Sequence, residues 1–158
     1  YQNHEDDDDS KEFKKIVNFY GDIEIKNKML DYLLKIFDIN IKANDFYLTK
    51  KEIQYLYKLG MVIGSHSESH TMLSRLSFNQ QYNEIKNSRN LLQKITKNKI
   101  YSFCYPYGGK NSYDLNTIRI LKKLEFKIAY SVKAKDITKQ DLLKKPFELS
   151  RYDCNKFS

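Results

Sequence analysis

The segment Met61-Val-Ile-Gly-Ser-His66-Ser-Glu-Ser-His70 governs how the rest of this 158-residue chain is read. It holds two of the only three histidines, four residues apart. An apolar, β-leaning run (Met61, Val62, Ile63) ends at Gly64, and His66 follows two residues later. In α/β proteins, ligands and reacting groups collect just beyond the carboxyl ends of the strands. If the residues after Gly64 form a turn of helix, positions four apart share a face. Both imidazoles then reach one divalent ion. A surface pair with no metal is the other reading that the spacing alone allows.

Composition sets the outer bounds. The chain is long enough for one ordinary domain with a real core, and 41% hydrophobic with 14% aromatic content is globular. No run of about twenty apolar residues is present to span a membrane, and no leader pattern opens the chain. A net charge of +8 raises the question of nucleic acid. The lysines are spread along the whole length, however, and there are only four arginines (Arg75, Arg89, Arg119 and Arg151). Base readout favours arginine, and no nucleic-acid motif accompanies the charge, so no such partner is expected. The two cysteines, Cys104 and Cys154, make no disulfide framework. They read as small buried thiols, which fits a reducing, cytoplasmic setting better than a periplasmic or cell-envelope one.

Outward from the histidines, the pattern is one of alternating elements. Residues 1–12 are polar, with the acidic run Glu5 to Asp9 expected to be solvated. Ile23, Met29, Leu30, Leu33, Leu34 and Phe37 recur at helical spacing. Thr49-x-x-Glu52 is a capping box that opens a helix with Ile53, Leu56 and Tyr57 inward and Gly60 as its stop. Ser77-x-x-Gln80 opens a longer one, with Phe78, Tyr82, Ile85, Leu92 and Ile95 facing the core. Tyr101 to Tyr105 is an aromatic strand that ends at Pro106 and Gly108-Gly109. Asn111 or Ser112 is placed to cap a helix bearing Leu115, Ile118, Leu121 and Leu124. Phe126, Ile128, Tyr130 and Val132 alternate as a strand. A lysine-rich connector and a last strand around Phe147 and Leu149 follow. Strands alternating with helices predict an α/β fold of parallel βαβ units. The expected division is a polar, partly helical segment over 1–44 and the main domain over 45–158.

With parallel neighbouring strands, His66, His70 and the Pro106-Tyr107-Gly108 loop open on one rim. Two neutral imidazoles suit zinc or another first-row metal, but a catalytic site needs a third protein ligand and an open position. His-Glu-x-x-His chemistry is excluded, because Ser67 follows His66. Glu68 reads as a surface residue.

Gly64-Ser-His66-Ser67-x-x-His70, followed by Leu73 and Leu76-Ser77, resembles the histidine motif of polysaccharide deacetylases with the NodB homology domain, the carbohydrate esterase family 4 type. Phe103-Cys-Tyr-Pro106-Tyr107-Gly108 is similar to the family's proline motif, with Cys104 where many members carry arginine. The resemblance extends over roughly residues 45–155. It implies part of a distorted (β/α)7 barrel whose first strands are missing. The implied activity is hydrolysis of an acetyl group, N-acetyl above all, on a sugar of a polysaccharide or glycoconjugate.

The resemblance also implies roles. His66 and His70 bind a divalent metal, most simply zinc. Ser67 braces the histidine loop, and the Tyr107 N–H helps hold the oxyanion. Tyr105, Pro106 and Tyr107 line the sugar site. Leu149-Ser-Arg151-Tyr-Asp153 resembles a late strand in which the arginine orients a catalytic aspartate, although an ordinary salt bridge between Arg151 and Asp153 reads equally well. Such a metal lowers the pKa of water and polarises the acyl carbonyl, and a backbone donor steadies the oxyanion.

The family's Thr-Phe-Asp-Asp-Gly motif, source of the general base and third ligand, has no counterpart here. Its late tryptophan and histidine motifs are also absent. The expectation is therefore the larger, C-terminal part of a deacetylase, inactive by itself. A non-catalytic carbohydrate-binding relative of the same fold is the alternative.

Overall fold

The computed structural model describes residues 7–19, 23–40 and 42–152. The chain divides into two compact units, Tyr1–Leu48 and Thr49–Ser158. Among the described residues, no helix is long and apolar enough to cross a membrane.

The first unit is helical: α1 (Asp8–Phe19), α2 (Ile23–Ile36) and the single turn α3 (Ala43–Phe46). The described end of the acidic run, Asp7–Asp9, expected to be solvated, also starts α1. Asp7 accepts the Ser10 N–H at 2.6 Å, and that bond holds its carboxyl below the usual carboxylate range. Asp8 and Asp9 lie in the first turn, where negative charge meets the unpaired N–H groups of the helix start. Periodicity placed the second helix correctly, and Met29, Leu33 and Leu34 are among its half-buried residues.

Among the described residues of the second unit every α-helix begins with a capping box, each satisfying two otherwise orphaned N–H groups. These helices are α4 (Lys50–Lys58), α5 (Phe78–Thr96), α6 (Leu115–Lys123) and α7 (Lys139–Lys144). The boxes at Thr49/Glu52 and Ser77/Gln80 are those expected. The cap of α6 is Asp114, not Asn111 or Ser112. Asp114 accepts the Thr117 N–H at 2.9 Å, whereas the Ser112 hydroxyl is committed to the Gly109 carbonyl at 2.7 Å. Thr138 and Asp141 make a fourth box, so the lysine-rich connector contains α7.

The sheet is narrow and parallel. Strand β1 (Ser102–Cys104) pairs with β2 (Ile128–Tyr130), with Phe103 opposite Ala129. Single parallel bridges extend the sheet on both sides, Ser65 to Phe103 and Tyr130 to Leu149. Four segments thus lie side by side in chain order, as βαβ units require. The expected strand over Met61–Ile63 does not form, and pairing is confined to the single bridge at Ser65, two residues beyond it. Met61 N–H still bonds back to Leu56 at the exit of α4, which draws it away from the sheet. The inward face of β2 is also displaced by one residue: Ala129 is fully buried while Ile128 and Tyr130 are half-covered.

The core lies between this sheet and α5 and α6. Leu73, Ile85, Phe103, Ile120, Leu121 and Ala129 form its centre. Each large apolar side chain buried there contributes about 1.5–3 kcal/mol. Phe78 was expected inside but is exposed. Gln81 is buried in its place, accepting from the Thr117 hydroxyl at 2.6 Å and donating to the Leu76 carbonyl at 3.1 Å. That pair ties α5 to α6 without leaving a buried polar atom unsatisfied.

Candidate functional site

Parallel pairing brings the two loops together. Ser65 N–H donates to the Ser102 carbonyl at 2.9 Å, and Cys104 N–H donates to the Ser65 carbonyl at 2.8 Å. The residues that follow each segment therefore leave the sheet on the same edge. There the rings of His66 and His70 lie 4.8 Å apart, edge to face, and the Tyr107 ring packs 5.0 Å from His70.

The pair does not sit on a turn of helix. Ser67 and His70 both adopt left-handed backbone, with φ of 61° and 54°, and the loop folds back on itself between them. The Ser67 hydroxyl accepts the His70 N–H at 3.1 Å, closing the loop over three residues. Left-handed conformation costs a non-glycine residue about 1 kcal/mol, so the loop needs support from outside.

That support comes from α5 and was not foreseen. The Glu84 carboxylate accepts three hydrogen bonds, from Glu68 N–H at 3.1 Å, Ser69 N–H at 2.9 Å and the Ser69 hydroxyl at 2.7 Å. One turn along, Asn87 donates to Glu68 at 2.8 Å, and Ser88 shares a buried 2.8 Å hydroxyl contact with Ser65. Glu84, Asn87 and Ser88 fall at i, i+3 and i+4, a polar stripe beside the apolar face of one helix. The sequence contains that stripe, but its meaning depends on the loop it meets.

His66 has a defined tautomer. Its Nδ1 lies 2.7 Å from the Cys104 carbonyl oxygen, which only accepts, so Nδ1 carries the proton. In the neutral imidazole Nε2 is then the lone-pair nitrogen, the arrangement by which proteins orient a metal-binding imidazole. Two imidazoles sharing a tetrahedral zinc, each nitrogen about 2.0–2.1 Å from it, have ring centres about 5 Å apart. The observed spacing fits that donor set. Among the described residues, no group of three or more His, Cys, Asp or Glu is arranged to hold a metal.

The loop after β1 is tightly built. Tyr107 and Gly108 are left-handed, with φ of 60° and 62°, and the Gly108 N–H turns back to the Pro106 carbonyl at 2.6 Å. A Cβ on Gly108 would lie 2.8 Å from Val132 Cγ1 and 2.9 Å from its backbone nitrogen, so only glycine fits.

The expected sugar-facing trio divides at this point. Tyr107 is half-exposed on the rim, but Tyr105 and Pro106 are fully buried. Tyr105 stacks on Tyr113 with ring centres 3.7 Å apart and donates its hydroxyl to the Phe147 carbonyl at 2.8 Å. Its burial pushes the phenol well above the ordinary tyrosine range. A substrate ring cannot stack on it. The alternation that puts Phe103 in the core puts Tyr105 there too, because both point to the same face of the strand.

Arg151 is exposed beyond the Leu149 bridge, with its N–H bonded to the Lys133 carbonyl at 3.2 Å. Its charge reaches the Cys104 thiol. Burial raises that thiol's pKa, and the guanidinium opposes the rise. Asp153 and Cys154 lie outside the described residues.

A family profile described as polysaccharide deacetylase matches residues 23–129, more than half of the chain. Among solved structures, the chain is similar to the deacetylase PplD of Streptococcus pyogenes, determined in complex with acetate. Identity is 24% and the TM-score 0.60, covering 66% of this chain and 44% of that one. A polysaccharide deacetylase of Bacillus cereus is 22% identical with a TM-score of 0.58, covering 66% and 32% respectively. The BpsB deacetylase domain of Bordetella bronchiseptica is 16% identical with a TM-score of 0.57, covering 68% and 49%. At these identities the likeness is one of fold, and the chain spans less than half the length of each. Comparison with curated proteins gave no match. On the strength of the matched profile, the chain belongs to the polysaccharide deacetylase family.

Proposed function

We propose that this chain carries the histidine side of a metal-dependent site that removes acetyl groups, N-acetyl above all, from a sugar of a polysaccharide or glycoconjugate. The observation that carries this reading is the paired His66 and His70 rings, 4.8 Å apart on the rim, with the His66 tautomer set by the Cys104 carbonyl. Zinc suits two imidazole donors at this spacing. When bound, a divalent metal supplies Lewis acidity toward the acyl carbonyl and toward water. The third ligand and the general base come from outside the described residues.

The chain's own groups supply the rest. His66 presents Nε2, and Ser67 and Glu84 fix the loop that carries His70. The Tyr107 amide is the donor assigned to the developing oxyanion, an interaction worth about 3–4 kcal/mol in acyl transfer. The Tyr107 ring, packed on His70, offers a face to the sugar. Arg151, across the strand ends, is the positioning residue for the catalytic carboxylate.

The test is acetate release by the full-length protein from tetra-N-acetylchitotetraose, before and after chelation and with zinc restored. Release that disappears with the chelator and returns with zinc supports the reading. Saturable binding of the oligosaccharide with no acetate at any zinc concentration replaces it with the non-catalytic binder.

A further inference from the structure

Beside the histidine rim, a cavity of about 620 Å³ opens at the carboxyl ends of β1, β2 and the Leu149 segment. It begins at Gly108, the residue after Tyr107, so it adjoins the position where a sugar would meet the histidines. Its volume is in the range of ligand sites. Tyr113 supplies an aromatic wall, and Lys110, Lys133, Lys135 and Lys145 surround it.

The charges in the cavity do not balance. Asp141, one of its two carboxylates, is committed to its own helix, accepting from Thr138 N–H at 2.9 Å and its hydroxyl at 2.7 Å, with Lys135 at 3.4 Å. Glu148 is the other. Lys110, Lys133 and Lys145 form no ion pair among the described residues. Three unpaired ammonium groups against the one remaining carboxylate, Glu148, leave the hollow net positive, and with an aromatic ring on its wall this is the chemistry of an acidic sugar subsite.

We infer that this cavity binds an anionic unit of the glycan, a carboxylate- or phosphate-bearing sugar adjacent to the residue that is deacetylated. The inference rests on the deacetylase reading of the rim for its placement, and it specifies the class of substrate. The lysines act as point charges, so they accept either anion. They are exposed, so the preference falls as salt screens it.

The experiment compares binding of three probes to the full-length protein at low and high salt. They are tetra-N-acetylchitotetraose, the same oligomer phosphorylated at a C6 hydroxyl, and a hyaluronan tetrasaccharide. At low salt at least one acidic probe is expected to bind about tenfold tighter than the neutral one, the sum of three exposed pairs. Which probe gains identifies phosphate or carboxylate. The variant Lys110→Gln/Lys133→Gln/Lys145→Gln loses the preference and leaves neutral binding unchanged, and the corresponding triple Lys→Arg variant keeps it. Lys51→Gln/Lys94→Gln/Lys127→Gln, with the same change in net charge, also keeps it.

Equal binding of all three probes overturns the inference. So does a preference that survives loss of the cavity lysines, or one lost equally in the control variant. Acetate release from the neutral oligomer without any acidic preference leaves the deacetylase reading standing and removes this one. Lysine-dependent acidic binding without acetate release does the reverse.

Discussion

The Nδ1–H of His66 donates to the carbonyl oxygen of Cys104 at 2.7 Å. This bond joins the two loops of the site, because Cys104 is the last residue of β1 and leads directly into the Tyr105-Pro106-Tyr107 turn. It also gives the sheet a chemical role. The parallel bridge at Ser65 sets the register, and the register decides which carbonyl His66 finds.

Glu84 is the residue on which the loop conformation depends. Glu84→Gln removes the charge from three hydrogen bonds and places an NH₂ group where an acceptor is needed. Stability should fall by about 1 kcal/mol. Hydrogen exchange at the Glu68 and Ser69 amides should accelerate well beyond that at α5 amides. Uniform acceleration across the second unit would show that Glu84 acts on the fold as a whole and not on the loop.

Gly108 and Gly109 make a matched comparison. Gly108→Ala sets a Cβ against Val132 and forces a left-handed alanine, whereas Gly109→Ala meets nothing within 4 Å. The first should destabilise by about 1–3 kcal/mol, the second by less than about 0.5 kcal/mol. Chemical denaturation measures both, and equal effects would contradict the close approach of the loop to Val132.

Alkaline stability follows from two groups whose pKa values are raised in the fold. Burial lifts Tyr105 well above the tyrosine range, and burial lifts Cys104 despite Arg151. The folded state thus keeps protons that the unfolded chain loses above its ordinary thiol and phenol values, about 8.5 and 10. Stability contributed by these groups is complete below those values and declines as pH rises past them. The melting temperature should therefore fall with pH on the alkaline side. Tyr105→Phe should flatten the decline above about pH 10 while lowering the melting temperature at pH 7, through loss of the bond to Phe147. Arg151→Gln should raise the Cys104 pKa further and slow its alkylation by iodoacetamide at pH 8.5. Faster alkylation would mean that the arginine only covers the thiol.

What the sequence disclosed was local chemistry. The boxes at Thr49/Glu52 and Ser77/Gln80 are visible because each is complete within four residues. The family was legible in two short motifs at two strand ends. Length of strand was not, because Met61 and Val62 are apolar enough to pair but find no backbone partner in the sheet among the described residues. The helical placement of the histidines failed for a different reason: left-handed Ser67 and His70 leave no compositional trace. Glu84 was overlooked because its partners are 15 and 16 residues away. The burial of Tyr105 was hidden because a rim aromatic and a core aromatic look alike until the strand's facing is known. The lysine cavity had no sequence signal, since lysines occur throughout the chain.

The most direct test of the account is a zinc titration of the full-length protein, followed through the imidazole nitrogens of His66 and His70 by NMR. Both rings are predicted to shift together and saturate at one zinc, with the His66 proton remaining on Nδ1. His66→Asn is predicted to abolish the shift of His70, because one ion is shared. Rings that do not respond to zinc, or a His70 response unchanged without His66, would contradict the claim that this pair is a single metal site.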